Sequence, residues 1–243
     1  MIYNLLEQSR YEDIANRILY EDNHVLIINK KAGEIVQGDK TGDEPLSETL
    51  KAFIAQRDGK PGHVFIGVPH RLDRPVSGIA MFAKTSKGLE RLNEAFRNGS
   101  IHKHYLALVC AKPDKPEGEL TDYLQRNEKL NKSFVVKPPV NATGSGEVKK
   151  GVQKAVLRYK LVRSFDRYWM LDIELLTGRH HQIRCQLASR GWFIKGDLKY
   201  GARRSNPDGG ISLHARSITF VHPTTKKEIT VTAPVHWSPF IDG

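Results

Sequence analysis

The sequence predicts an α+β protein built on a large, mainly antiparallel sheet with flanking helices. Three observations predict it. Apolar and polar residues alternate with a period of two over much of the second half, the mark of half-buried strands. Helical spacing is confined to a few scattered segments, and no internal repeat runs through the chain.

Val25 to Asn29, followed by Lys30-Lys31-Ala32-Gly33, reads as a buried strand ending in a turn. From Pro45 to Arg57, Leu46, Leu50, Phe53 and Ile54 recur at helical spacing and predict an amphipathic helix. Gln56 to Gly62, polar with two glycines and a proline, predicts a loop. Val64 to Val68 and Ile79 to Ala83 predict short strands. Leu89, Leu92 and Phe96 share a helical face, with Thr85 or Ser86 placed to cap the helix and Gly99 to end it. In Lys103 to Cys110, Tyr105, Ala107 and Val109 share one strand face. In Lys154 to Leu161, Ala155, Leu157 and Tyr159 oppose Lys154, Arg158 and Lys160. Trp169 to Leu175, Ser212 to Val221 and Glu228 to Thr232 continue the strands, interrupted by a helix from Arg179 to Arg190 that ends near Gly191. Lys129 to Gly151, rich in Lys, Gly, Ser and Pro, reads as a mobile insertion.

A chain of 243 residues fits one large domain, or a domain plus a small extension, and can bury its core without disulfides or metals. Thirty-eight Lys and Arg against 27 Asp and Glu leave a net charge of +11. A field of that sign attracts polyanions, nucleic acid foremost; a basic surface kept only for solubility is the plainer reading. Cys110 and Cys185 give neither a disulfide framework nor zinc-ligand spacing, which points to a reducing compartment. Met1 to Asn16 lacks the apolar stretch of a signal peptide, and no apolar run approaches the roughly 20 residues of a membrane span. A soluble cytoplasmic protein with no membrane partner is expected. The glycosylation-like triplets Asn131-Lys132-Ser133 and Asn141-Ala142-Thr143 then read as chance matches.

His70-Arg71-Leu72-Asp73-Arg74-Pro75-Val76-Ser77-Gly78 packs three charges, a proline and a glycine between two apolar strands, where reactive groups are commonly placed. The plain alternative is a tight turn in which Asp73 accepts backbone hydrogen bonds and the arginines are solvated. Gly178-Arg179-His180-His181-Gln182-Ile183-Arg184 opens the second-half helix, with Ile183 and Leu187 toward the core and His180 and Arg184 one turn apart. A solvated basic face would look the same. His180 and His181 have no acidic ligand after them, and His102 with His104 has no third ligand, so no metal site is expected.

Taken in order, these segments resemble the RluA family of RNA pseudouridine synthases. The resemblance rests on His70-Arg71-Leu72-Asp73 with Ser77-Gly78, Lys103 to Val109, and Gly178-Arg179 with His181-Gln182-Ile183-Arg184. Gly196-Asp197 with Tyr200-Gly201, Leu213-His214-Ala215, and the opening strand Val25 to Gly33 extend it over residues 20 to 235. Ordered motifs across a chain are far more specific than any one alone. The family match implies the pseudouridine synthase catalytic fold with a central RNA-binding cleft. It implies an isomerase that detaches uracil from its ribose and rejoins it through C5 without a cofactor, acting on structured ribosomal or transfer RNA.

It places Asp73 as the nucleophile, Tyr105 as the active-site tyrosine that stacks on the uracil, and Arg184 as the partner that keeps the carboxylate charged. Burial disfavours a charged carboxylate and a nearby guanidinium favours it. Arg71 matches a position that fills the stack after base flipping, with His70 and Arg74 beside it. Lys154, Arg158, Lys160, Arg203 and Arg204 are candidates for phosphate contacts. Val76 stands where the family often has threonine. Residues 1–19 are expected to be a short N-terminal extension and 20–243 the catalytic domain, with no separate N-terminal RNA-binding module and a monomeric state.

Two other classes compete. A non-catalytic RNA-binding or RNA-folding protein on the same scaffold would be expected to lack Asp73, Tyr105 or Arg184, and all three are present. A glycosidic hydrolase usually needs two facing carboxylates, and the Asp73 loop supplies one among cations. Gly144-Ser145-Gly146 is not followed by a phosphate-cradling pattern, which removes nucleotide hydrolases.

Overall fold

The structure, a computed structural model, describes residues 3–39, 42–138, 151–235 and 237. They fall into two compact units, one of residues 3–101 with 214–235 and the other of residues 102–213 with 237. Residues 139–150, including Asn141-Ala142-Thr143 and Gly144-Ser145-Gly146, lie outside the described residues.

In the first unit, helix α1 (Gln8–Arg17) leads into strand β1 (Ile18–Glu21), which pairs antiparallel with β2 (Val25–Lys30). β2 pairs antiparallel with β3 (Ser77–Ala83) in unbroken register from Val25↔Ala83 to Lys30↔Gly78. The start of β3 runs parallel to β9 (Leu213–Val221), which pairs antiparallel with β10 (Glu228–Thr232). Val25, Leu26, Ile27 and Ile28 are all fully buried, so the apolar run covers both faces of a central strand. Helix α2 (Leu46–Arg57) packs Leu50, Phe53 and Ile54 into that core, with the Phe53 ring 4.8 Å from Tyr11 of α1.

Helix α3 (Ser86–Asn98) begins at Thr85, whose hydroxyl accepts the Gly88 N–H. It ends at Gly99 in the left-handed conformation. The strand expected at Val64 to Val68 does not form. Only Gly67 bridges Ala83, and the neighbouring Pro61, Gly62 and Pro69 leave few donors and little rigidity for a ladder.

The second unit is an antiparallel sheet in the order β4 (His102–Val109), β8 (Trp169–Leu175), β7 (Val152–Ser164), β5 (Glu117–Asn127), β6 (Lys132–Val136). Period-two burial matches expectation on β7, where Ala155, Leu157 and Tyr159 are buried while Lys154, Arg158 and Lys160 are exposed. β6 corrects the reading of 129–151 as an insertion: its described start is a hairpin closing onto β5.

The second-half helix is shorter than expected. α4 spans Gln182–Ala188, because His181 sits at φ 52° and no α-helix continues back through a left-handed residue. Its buried Cys185 packs with Leu124, Ala155 and Tyr200, the last from a single 3₁₀ turn, Leu198–Tyr200. Among the described residues no helix is long and apolar enough to cross a membrane.

Candidate active site

Asp73 lies in the loop between Gly67 and β3, half-buried, with buried Leu72 and Val76 on either side anchoring the loop to the core. The turn it opens is closed by Val76 N–H donating to the Asp73 carbonyl at 3.0 Å. Two donors, one from the turn after β2 and one from its last residue, converge on the next carbonyl, that of Arg74: the Gly33 amide at 2.8 Å and the Lys30 ammonium at 3.2 Å. Gly78 closes the loop at φ +106°, so close to β9 that a Cβ there would lie 2.3 Å from the Ala215 carbonyl oxygen. Ser77 Oγ lies 2.9 Å from His214 Nδ1. The family motif Leu213-His214-Ala215 thus serves to hold the end of the Asp73 loop.

The three flanking residues separate in role. Arg71 is exposed, while Arg74 pairs at 2.6 Å with Asp43, both half-exposed. His70 turns into the unit: its Nε2 accepts the Met81 N–H at 3.0 Å and its ring stacks on Phe96 at 4.8 Å. An imidazole nitrogen that accepts an amide proton carries none itself. His70 therefore anchors the loop, to β3 through Nε2 and to α3 through its ring.

Lys30 is the residue that sequence reasoning missed here. Its side chain is 1% exposed, and all three ammonium donors are used, on the carbonyls of Lys31 (2.9 Å), Glu34 (2.7 Å) and Arg74 (3.2 Å). Burial lowers its pKa to about 8, against the opposing pull of the Glu34 and Asp73 charges. The only signal in the sequence was a lysine close behind the apolar run Val25 to Ile28.

In the second unit, Tyr105 is buried on β4 opposite Ile173 of β8. Lys103, two residues earlier on the same face, is depressed in pKa by burial and lies against Gly178 of the Gly-Arg motif. Arg184 projects from α4, 5% exposed, and forks through Nε and Nη2 onto Asp197 at 2.7 and 2.8 Å. Its guanidinium carbon sits 5.1 Å from the centre of the Tyr200 ring.

The Tyr200 hydroxyl accepts the Ser133 N–H at 2.9 Å and lies 3.0 Å from His181 Nδ1, and burial pushes its pKa well up. Asp197 and Tyr200 belong to a motif to which sequence reasoning assigns no role; here they are the rigid seat of Arg184. His180 and Arg184 are not one helical turn apart. His180 precedes α4, stacks on His181 at 3.9 Å and lies 2.9 Å from Ser133 Oγ. The Gln182 side chain holds the motif in shape, accepting from Arg179 N–H and Thr177 Oγ and donating to the Val156 carbonyl.

The five phosphate-contact candidates also differ. Arg158 pairs with Glu119 of β5 and Glu174 of β8, and Lys160 stands across from Glu117 and Asp172, so this part of the exposed face of β7 is balanced by cross-strand acids. Lys154, Arg203 and Arg204 are exposed, and none makes an ion pair with another described residue.

The family model described as RNA pseudouridylate synthase matches residues 24–189. A protein of Buchnera aphidicola, "Ribosomal large subunit pseudouridine synthase C", is 31% identical over 91% of this chain and 68% of its own length. "Ribosomal large subunit pseudouridine synthase D" of Xylella fastidiosa is 32% identical over 92% of this chain and 67% of its own. The solved structure "Human RNA Pseudouridylate Synthase Domain Containing 4" superposes with a TM-score of 0.75 at 22% identity, covering 93% of this chain and 90% of that one, which shows a shared fold. With motifs, fold and sequence similarity in agreement, the chain belongs to the RNA pseudouridylate synthase family and is an enzyme that isomerises uridine in RNA to pseudouridine.

Proposed function

We propose that Asp73 is the nucleophile of this isomerisation and that the substrate is ribosomal RNA. The observation that carries the first part is the clamped turn: the backbone at Asp73 and Arg74 is fixed by Val76, Gly33 and Lys30, while the Asp73 side chain stays only half-buried. A carboxylate held so, at the edge of a core, can meet a reacting centre without first being ordered. The ribosomal substrate is supported by the names of relatives about one third identical over most of the chain.

The reaction breaks the bond from N1 to the ribose, turns the uracil and joins C5 to the same carbon. It needs no redox partner. Arg184 is the proposed partner of Asp73, made rigid by its fork on Asp197. Tyr105, on the buried face of β4, is proposed to stack on the uracil and assist loss of the C5 proton. Exposed Arg71 suits the vacated stack after flipping, which costs a few kcal/mol. Arg74 would meet the RNA from its place at Asp43. Among the basic residues, Lys154, Arg203 and Arg204 suit phosphate better than Arg158 and Lys160, whose acids would have to be displaced. We further propose that residues 20–243 act as one catalytic domain, as a cytoplasmic monomer.

Mapping pseudouridines in total RNA from cells with and without the protein tests the substrate. Loss of one or a few ribosomal sites is expected; loss confined to transfer RNA overturns the ribosomal assignment.

A further inference from the structure

Exposed apolar side chains gather at one edge of the second unit. Leu130, Phe134 and Val135 belong to the β5–β6 hairpin, and β6 is the last strand in the sheet order. Leu198 joins them from the 3₁₀ turn. The Lys132 ammonium donates to the Lys199 carbonyl at 2.6 Å, and the Lys199 ammonium to the Asn131 carbonyl at 3.1 Å, which ties that turn to the hairpin. Leu130 and Leu198 are each 58% exposed and Phe134 41%. Lysines on an edge strand blunt it against unwanted pairing, and an exposed phenylalanine among them works the other way. The patch calls for an occupant.

Charge says which kind. Arg126, Lys129, Lys132, Lys137 and Lys199 surround the patch, and among the described residues none of the five forms an ion pair. The hairpin turn sets one carboxylate against them, Glu128. Elsewhere on the same sheet Arg158 is balanced by Glu119 and Glu174. Exposed apolar and aromatic side chains among uncompensated cations fit a polyanion that carries flat apolar faces, and unpaired RNA is that partner.

The patch is also joined to Arg184. The Lys132 ammonium lies 5.5 Å from the centre of the Phe134 ring and 4.7 Å from that of Tyr200, the ring beside which the Arg184 guanidinium sits at 5.1 Å. We infer that the β5–β6 edge with the 3₁₀ turn is a docking surface for unpaired RNA flanking the target uridine. Phe134 stacks one base there, and the surrounding lysines hold the backbone. The inference rests on the substrate being ribosomal RNA, whose unpaired stretches would supply that base.

The test measures the affinity of the full chain for an unmodified ribosomal RNA transcript over a range of salt concentrations, with a thermal melt for each variant. Phe134→Ala should weaken binding by about 5- to 150-fold, the loss expected when one stacked base is left without its aromatic partner. Phe134→Trp should restore it, and Phe134→Leu, apolar but without a ring, should not. Lys129→Gln removes one charge from the hairpin turn, so the slope of log affinity against log salt should shrink by about 0.7, the share of one single-strand phosphate.

Parental affinity in Phe134→Ala overturns the proposal, and so does a loss that Phe134→Trp leaves unrecovered or that Phe134→Leu repairs in full. An unchanged salt slope in Lys129→Gln removes the phosphate contact. The same titrations on transfer RNA separate the two readings. If the parent prefers transfer RNA and Phe134→Ala weakens that binding, the ribosomal assignment has failed and the docking surface stands. If the parent prefers ribosomal RNA and Phe134→Ala binds it equally well, only the docking surface has failed.

Discussion

Removing Asp197 should unfold the second unit far more readily than its position on a short 3₁₀ turn suggests. In Asp197→Ala the Arg184 guanidinium, 5% exposed, loses both contacts of its fork, at 2.7 and 2.8 Å, and stays buried above the Tyr200 ring. Deleting one partner of such a pair costs about 3–5 kcal/mol, because the buried guanidinium loses the carboxylate that offsets its desolvation. For a chain of this size each kcal/mol moves the melting temperature by about 2–4 °C, so a fall of about 6–20 °C is expected. Thermal melts by circular dichroism read the total, and hydrogen exchange at α4 and the 3₁₀ turn locates it.

The double variant Arg184→Met with Asp197→Leu should regain most of that stability while remaining inactive, since no charge is left to desolvate. A double-mutant cycle gives the coupling directly. A melt within about 2 °C of the parent for Asp197→Ala, with no coupling to Arg184, would show that the fork contributes nothing; at the rate above, that shift is worth at most about 1 kcal/mol.

Three other outcomes follow from the first unit. Gly78→Ala drives a Cβ to 2.3 Å from the Ala215 oxygen at φ +106°, so it should yield little folded protein, or a melt lowered enough to be plain by calorimetry. His70→Phe keeps the stack on Phe96 but orphans the Met81 N–H, which should cost about 1–3 kcal/mol by denaturant titration with RNA affinity unchanged. Selective loss of RNA affinity instead would place His70 among the RNA-contacting residues.

Lys30 gives a pH signature. Below pH 8 the folded and unfolded chains both hold its proton and the burial cost is fully present. From about 8 to 10.5 the unfolded chain holds more, so unfolding free energy rises with pH, by about 3 kcal/mol in all at 1.36 kcal/mol per pH unit. The stability of the parent relative to Lys30→Met should grow over that interval in parallel urea titrations.

Much of the fold was legible because its strands are patterned by burial. β2, β3, α2, α3 and β10 stand within a residue or two of where spacing, Thr85 and Gly99 put them. What escaped had misleading or weak local signals. β5 carries its buried leucines at positions 120 and 124, a helical interval, and is a strand only because β7 and β6 hold it on both sides. α1 buries a single residue, Ile14, in a mostly polar stretch.

α4 lost its first turn to the conformation of His181, which no periodicity reports. The site divides the same way. Motif order singled out the Asp73 loop and Arg184, but the partners that fix them, Lys30 and Asp197, are set by tertiary contact across 44 and 13 residues. Arg158 looked available for phosphate until the register placed Glu119 and Glu174 opposite it.

The most direct test replaces the Asp73 carboxylate by its neutral isostere. RNA labelled with tritium at uridine C5 releases the label when pseudouridine forms, so single-turnover release by Asp73→Asn reads the chemical step itself. The account predicts no release above background from a protein that melts and binds RNA like the parent. Release at a rate comparable to the parent would contradict it.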